Sequence, residues 1–215
     1  MKILNLYSGI GGNRMLWGDE HDITAVELDI PIAHAYKRFF PMDRVIIGNA
    51  HDYLAEHYHE YDFIWSSPPC TTHSVINVAN KISPYKDNKK QIENGGGMVP
   101  RYPDMSLYQE IIFLGSNFKG KWCVENTFAY YEPLIKPNVF ANHWFWCNFL
   151  IPHIETDGRF HDSKIGDLIK RKGFDKFDLS GLDKRKVLRN CVEPEVGKHI
   201  LDYVVNPIQV QKKLL

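Results

Sequence analysis

Cys70 offers the most chemistry in this sequence. It sits in Trp65-Ser66-Ser67-Pro68-Pro69-Cys70-Thr71-Thr72-His73-Ser74. A cysteine attacks or ligates as its thiolate, which requires exposure and a lowered pKa. The two prolines stiffen the turn and hold Cys70 outward, whereas a structural cysteine normally sits inside a strand or helix. A structural thiol and a nucleophile are both open at this point. A second candidate lies in Trp122-Cys123-Val124-Glu125-Asn126-Thr127, an apolar run ending in an acid. Glu125 is either a strand-end cap or, beside a nucleophile, a group that gives or takes a proton. A third is Leu4-Asn5-Leu6-Tyr7-Ser8-Gly9-Ile10-Gly11-Gly12. Its glycines let backbone approach a ligand closely, and a helix N-terminus behind them favours negative charge. The plain alternative is a tight turn with no ligand. Glu27, ending the next apolar run, is placed either to accept from ribose hydroxyls or to be a surface acid.

These residues need a scaffold, and the pattern supplies one. Short apolar runs at Ile3–Tyr7, Ile23–Glu27, Arg44–Ile47, Phe63–Ser66 and Trp122–Glu125 read as strands. Helical stretches alternate with them at Asn13–Trp17, Pro31–Phe39, Asp52–His59 and Ser106–Phe118, with Pro31 in a first turn. Such alternation predicts an α/β fold, a mostly parallel sheet with helices on both faces. Ligands then bind beyond the carboxyl ends of the strands, where Cys70 and Glu125 stand. Residues 77–105 break the rhythm with three consecutive glycines and three prolines. A loop of that length is read as an active-site lid or as a bland insertion. The aromatic run across 139–151 alternates like a pair of added strands, and Val192–Val205 reads as a helix returning to the domain.

Composition limits the classes. At 215 residues and 44% hydrophobic, the chain suits one globular domain with a small appendage. No apolar run is long enough to span a membrane, and the N-terminus lacks the form of a signal peptide, so a cytoplasmic location is expected. The four cysteines are widely spaced without a CxxC pair, which argues against structural zinc and against a disulfide scaffold. Net charge is zero, but its distribution is uneven. Residues 1–62 hold five basic and ten acidic residues, and residues 159–189 hold ten basic and five acidic ones. The basic block, with Lys170-Arg171-Lys172 and Lys184-Arg185-Lys186, is either a solvated helix face or a phosphate-contacting surface.

Taken together and in order, the motifs resemble the DNA cytosine-5 methyltransferase family, in a small form of phage or bacterial type. Ser8-Gly9-Ile10-Gly11-Gly12 resembles its cofactor loop, Pro68–Ser74 its Pro-Cys nucleophile motif, and Glu125-Asn126-Thr127 its Glu-Asn-Val motif. Arg189-Asn190-Cys191-Val192-Glu193-Pro194 resembles the Gly-Asn-Ser-Val-Pro-Pro segment that returns to the cofactor site. The resemblance covers roughly residues 1–150 and 188–205. It implies a Rossmann-like S-adenosylmethionine-dependent fold, with a catalytic core over 1–151, a reduced target-recognition region over 152–187, and a returning segment over 188–215. It implies S-adenosyl-L-methionine as cofactor, held by Tyr7, Ser8, Gly9, Ile10, Gly11, Gly12, Glu27, Leu28, Asn49, Ala50, Pro68, Asn190 and Val192. It implies Cys70, Glu125, Asn126 and Ser74 as the catalytic set, with no metal. Pro69, Thr127, His143, Lys170, Arg171 and Lys172 would meet double-stranded DNA.

Three departures stand out. The aspartate expected after the third strand is replaced by Gly48-Asn49-Ala50, with Asp52 just beyond. The Gln-x-Arg-x-Arg motif is missing; Asn142-His143-Trp144-Phe145-Trp146-Cys147-Asn148-Phe149 occupies its place, leaving His143 as the polar contact. The recognition region is short, so a separate recognition subunit or a homo-oligomer is a conceivable complement.

The chemistry implied is covalent. A Cys70 thiolate adds at cytosine carbon 6 and makes carbon 5 nucleophilic. Glu125 holds a proton at ring N3 and binds the exocyclic amine. The base must first be flipped from the duplex. Restriction-modification is the role such an enzyme commonly has. Three alternatives stay open: the same reaction on transfer RNA, amino-methylation, and a nucleic-acid-binding protein on a decayed fold. Amino-methylation uses an Asn/Asp-Pro-Pro-aromatic motif, which Ser67-Pro68-Pro69-Cys70 fits poorly.

Overall fold

Seven strands form one sheet in the order β3-β2-β1-β4-β5-β7-β6 in this computed structural model, which describes residues 1–75, 102–154 and 164–208. The strands are β1 (Lys2–Leu6), β2 (Asp22–Glu27), β3 (Arg44–Ile47), β4 (Phe63–Ser66), β5 (Lys121–Thr127), β6 (Asn138–Phe140) and β7 (His143–Cys147). The helices are α1 (Ile30–Phe39), α2 (Ala50–His57), α3 (Ser106–Asn117), α4 (Ile165–Arg171), α5 (Lys184–Arg189) and α6 (Pro194–Val205). The pairs joining β3, β2, β1, β4 and β5 are parallel, and β7 runs antiparallel to β5. The expected α/β architecture is therefore present.

Strand residues are apolar on both sides because helices cover both faces. On one side Leu4, Leu6, Val26, Ile64 and Val124 pack under α2 and α3. On the other, Ile3, Phe63, Trp65, Cys123 and Phe145 meet Trp17 and α6. A third cluster joins Ala25 and α1 to Leu168, Phe174, Leu179 and Leu188. The 164–189 segment thus shares a core with α1 rather than standing off as a lobe. Burying each such large side chain contributes about 1.5–3 kcal/mol.

Asn13–Trp17 is not the helix its pattern suggested. The chain makes successive three-residue turns, Met15 N–H to Gly12 C=O and Trp17 N–H to Arg14 C=O. Tertiary contacts take these side chains instead. Asn13 donates to Asn5 at 2.8 Å, and Arg14 forks onto the buried Asp43 at 2.9 and 3.1 Å. The Tyr36 hydroxyl donates to the same carboxylate at 2.8 Å.

Strand order reverses between β1 and β4: the chain runs outward to β3 and then returns to add β4 and β5. Such a switch point leaves a crevice at the carboxyl ends of the flanking strands. The glycine turn follows β1, and Cys70 follows β4. The topology therefore brings two motifs some 60 residues apart to one crevice.

Candidate active site

The turn after β1 begins under strain. Tyr7 holds φ 55°, a left-handed conformation rare for a bulky residue. Its hydroxyl anchors it, donating to Glu110 at 2.5 Å. Burial and the Glu110 charge push the phenol well up, so it stays protonated and donating. Gly9 follows at φ 54°, and a Cβ there would meet nothing within 4 Å, so its outer side is open. Gly12 is needed for a different reason. A Cβ there would lie 2.5 Å from the Val192 carbonyl and 2.8 Å from the Cys191 Cβ. The segment around Cys191 and Val192 therefore lies directly against the turn.

Glu27, half-buried at the end of β2, accepts from Gly9 N–H and Asp29 N–H, both at 2.9 Å. Each oxygen keeps a lone pair for a ligand hydroxyl. Leu28 and Ile47, 69% and 47% exposed, offer apolar surface at the ends of β2 and β3. Asn49 caps α2, its Oδ1 accepting from His51 N–H at 2.9 Å, which leaves the side-chain NH2 available. Ala50 is buried. Ile10 is fully buried and turns its side chain into the α1 core, so only its backbone faces the crevice. Asn190 is exposed at the end of α5, and Val192 is buried under the sheet.

Cys70 opens a short 3-10 turn, Cys70–Thr72, immediately after Pro69. Its carbonyl accepts from His73 and Ser74 N–H, both at 3.0 Å, and Ser74 bridges to Ala129. The prolines divide the work: Pro68 is buried, and Pro69 is exposed beside Cys70. Asn126 is 2% exposed and donates to the Pro68 carbonyl at 2.9 Å, while its Oδ1 accepts from Thr127 N–H at 3.0 Å. Both ends of its amide are used, so Asn126 ties β5 to the Pro-Pro-Cys turn.

Glu125 is 6% exposed and sits near enough to Cys70 to act on it. Burial, then the Glu125 charge, push the Cys70 thiol up. His143 lies on the neighbouring strand, opposite Thr127, with Nε2 3.6 Å from Glu125 Oε1. Its Nδ1 is 2.9 Å from the Ala141 carbonyl and donates to it. Ala141 and Asn142 form the two-residue turn between β6 and β7, both at positive φ, the geometry that matches strand twist in a hairpin. Asn142 thus makes the turn that aims His143.

The basic triplet divides. Lys170 is exposed on α4 and Arg171 is half-buried, 3.2 Å from Glu193. Lys172 is 3% exposed, 2.9 Å from Glu193, and donates to the Cys191 carbonyl. This departs from the phosphate contact expected of it. The apolar stripe of α4 ends against α1, and the lysine is drawn inward with it. Burial alone would raise the Glu193 carboxyl, but Lys172, His143 and Arg171 outweigh it and hold it below its ordinary value.

Glu110 is the residue that sequence reasoning missed. It is fully buried on α3 and accepts from Tyr7 Oη, Ser66 Oγ at 2.6 Å and His51 Nδ1 at 3.0 Å. It thereby joins the ends of β1 and β4 to the start of α2. Contact with Glu110 raises the His51 pKa against the effect of burial. The signal was an acid inside the apolar stripe Leu107, Tyr108, Ile111, Leu114.

Residues 1–88 match the family model of C-5 cytosine-specific DNA methylases. That match takes in 88 of the 215 residues. A search of curated proteins returns no match. Among solved structures, the chain shares the fold of the Entamoeba histolytica methyltransferase EhMeth. That match has TM-score 0.51 and 10% identity, covering 98% of this chain and 99% of the other. A Spodoptera frugiperda DNMT2 variant matches at 25% identity and TM-score 0.37, covering 59% of this chain and 35% of the other. An Escherichia coli prophage-encoded putative DNA modification methyltransferase matches at 19% and 0.35, covering 61% and 33%. The chain thus spans about a third of the length of the latter two. Among the described residues no helix is long and apolar enough to cross a membrane, and no group of three or more His, Cys, Asp or Glu could hold a metal ion.

Proposed function

We propose that the chain transfers a methyl group from S-adenosylmethionine to carbon 5 of a flipped cytosine in double-stranded DNA, with Cys70 as nucleophile. The observation that carries this reading is the pairing of Cys70 with Glu125 at the switch-point crevice, beside an open glycine turn. A cofactor fits the turn chemically: Gly9 faces open space, the buried Ser8 hydroxyl has no partner, and Glu27 has acceptor capacity left. Glu27 would take the ribose hydroxyls, Leu28 and Ile47 the faces of the adenine, and the Asn49 amide and Ala50 backbone its edge. When bound, S-adenosylmethionine supplies an electrophilic methyl on its sulfonium.

The protein's own residues do the rest. Cys70, as thiolate, forms the bond to cytosine carbon 6, and loss of the carbon 5 proton later breaks that bond, returns the electron pair to sulfur and restores the ring. Glu125 holds a proton at N3 and accepts from the exocyclic amine, so charge pushed into the ring is neutralised where it develops. Its protonation also removes the negative charge that opposes the thiolate. His143 orients Glu125 from β7, Asn126 fixes the Pro68 carbonyl and with it the Cys70 turn, and Ser74 closes that turn. Pro69 and Thr127 line the mouth. Lys170, Lys184, Lys186 and Arg189 are exposed on α4 and α5 and are the phosphate contacts of this reading. The proposed lid over 77–105 lies mostly outside the described residues, and of it only 102–105 are described.

The test is transfer of labelled methyl to duplex DNA and to transfer RNA, comparing wild type with Cys70→Ala. Label at cytosine carbon 5 of DNA, abolished in the variant, is the expected outcome. Label confined to RNA moves the substrate. Transfer that survives Cys70→Ala ends the covalent mechanism.

A further inference from the structure

Cys123 and Cys147 are 24 positions apart in sequence, yet their Sγ atoms stand 3.0 Å apart. They are register partners across the antiparallel β5–β7 pair. Peptide groups alternate in direction along a strand, and two contacts fix the phase here. Trp122 N–H points to the β7 side, to Asn148 Oδ1, and Lys121 N–H points to the β4 side, to the Asp62 carbonyl. Cys123 therefore turns its own peptide groups toward β4 and forms a narrow, non-hydrogen-bonded rung with Cys147. Such rungs bring Cα atoms to about 4.5 Å, within the range a disulfide spans.

We infer that Cys123 and Cys147 form a reversible disulfide that staples β7 to β5. Accessibility makes the reaction directional. Cys123 is fully buried and Cys147 is half-buried, so Cys147 meets an oxidant first. With hydrogen peroxide, the Cys147 sulfur, as thiolate, takes one oxygen as the O–O bond breaks, giving a sulfenic acid, and the hydroxide that leaves takes up the proton the thiol had lost, giving one water. The Cys123 thiol then condenses with it, forming the S–S bond and releasing a second water. Two thiol hydrogens and two electrons have passed to the peroxide. A small-molecule disulfide serves equally, leaving as two thiols. Burial and the neighbouring thiol push the Cys123 pKa well up, which keeps it unreactive until Cys147 is activated beside it.

The location gives the link a consequence. Cys123–Cys147, Glu125–Phe145 and Thr127–His143 are alternate rungs of one ladder, facing the same side. A bond at the first sets the strand spacing at the next two, where Glu125 and His143 stand 3.6 Å apart. This last consequence rests on the function proposed above; the link itself does not.

The experiment oxidises the Cys70→Ala protein with dilute peroxide, so that Cys70 cannot contribute, and maps peptides without reduction. The expected result is a Cys123–Cys147 cross-linked pair that dithiothreitol reverses, with a rise of about 5–10 °C in the midpoint of thermal unfolding. Cys147→Ser, and Cys147→Ala in case serine is poorly tolerated, should lose both the cross-link and the rise. In protein retaining Cys70, those variants should keep basal transfer. Cys123 and Cys147 still fully alkylatable after oxidation, or a midpoint rise that persists in the Cys147 variants, overturns the inference. Absence of methyl transfer from reduced protein that retains Cys70, with the cross-link still forming on oxidation, would count against the proposed function instead.

Discussion

Lys172→Met separates two readings of the basic segment. If Lys172 meets phosphate, the change weakens DNA binding and leaves stability alone. The structure points the other way. The ammonium is buried, donates to the Cys191 carbonyl and pairs with Glu193 at 2.9 Å. Methionine keeps the stem's volume and removes only the charge. Breaking one side of a buried pair costs about 3–5 kcal/mol. Glu193 retains Arg171 at 3.2 Å and a side chain 20% exposed, so the loss should fall lower, about 2–3 kcal/mol. For a chain of this size that lowers Tm by roughly 4–12 °C.

The pH dependence supplies a second check. The Glu193 carboxyl is held below its ordinary value of 4.5, so the stability it contributes is present above 4.5 and lost as pH falls through its lower folded value. The gap between wild type and Lys172→Met should be full at neutral pH and narrow in acid. Adding Glu193→Gln should recover part of the loss, because the unpaired carboxylate is gone. Thermal unfolding from pH 3 to 8 measures all of this. An unchanged Tm, together with a salt slope of DNA binding reduced by about one, would refute the argument.

Three further outcomes follow from the same geometry. Alkylation of Cys70 by iodoacetamide should rise with pH through a midpoint above the ordinary thiol value of 9.0, and Glu125→Gln should bring that midpoint down; an unmoved midpoint would mean the two groups do not interact. Gly12→Ala drives a Cβ onto the Val192 carbonyl, so it should cost about 3 kcal/mol by thermal unfolding and weaken S-adenosylmethionine binding by calorimetry. The His51 imidazole should titrate by NMR above its ordinary 6.5, with the stability it lends present below 6.5 and lost as pH rises through the raised value. Glu110→Gln should return it toward 6.5, and a wild-type value already there would contradict the contact.

Strands were the legible part of this fold. β4 falls where its apolar run places it, because a buried parallel strand reads as an unbroken apolar segment between turn signals, and the edge strand β3, with no buried residue, falls on its apolar run as well. The Cys70 turn and the end of β5 were legible for the same reason, since motif residues cluster where strands end. What escaped depended on side chains acting at a distance. Asn13–Trp17 carries helical residue types, but Asn5 and Asp43 claim Asn13 and Arg14. Glu110 carries no mark in the sequence beyond its place among apolar helix positions, and only the fold brings Tyr7, Ser66 and His51 onto it. Asn142 read as a lost arginine, and it is half of a hairpin turn. The four cysteines looked solitary because spacing along the chain says nothing about register across β5 and β7.

Lys172 illustrates how a charge can serve a site it does not touch. It fixes Glu193, and Glu193 in turn feels the charge of His143. His143 stands 3.6 Å from Glu125, and Glu125 acts on the Cys70 thiol. The residues of this line come from the basic segment, the returning segment, β7, β5 and the turn after β4. Lys172, His143 and Arg171 hold the Glu193 carboxyl below its ordinary value, whereas at the far end Glu125 opposes the Cys70 thiolate. That opposition is relieved once Glu125 takes a proton, which in the proposed reaction it shares with the cytosine ring. A free enzyme with a quiet thiol and a substrate complex with a reactive one then follow from the same pair of residues. The returning segment carries both the contact at Gly12 and the charge at Glu193, so the glycine turn and the line of charges leading to Cys70 depend on one stretch of chain.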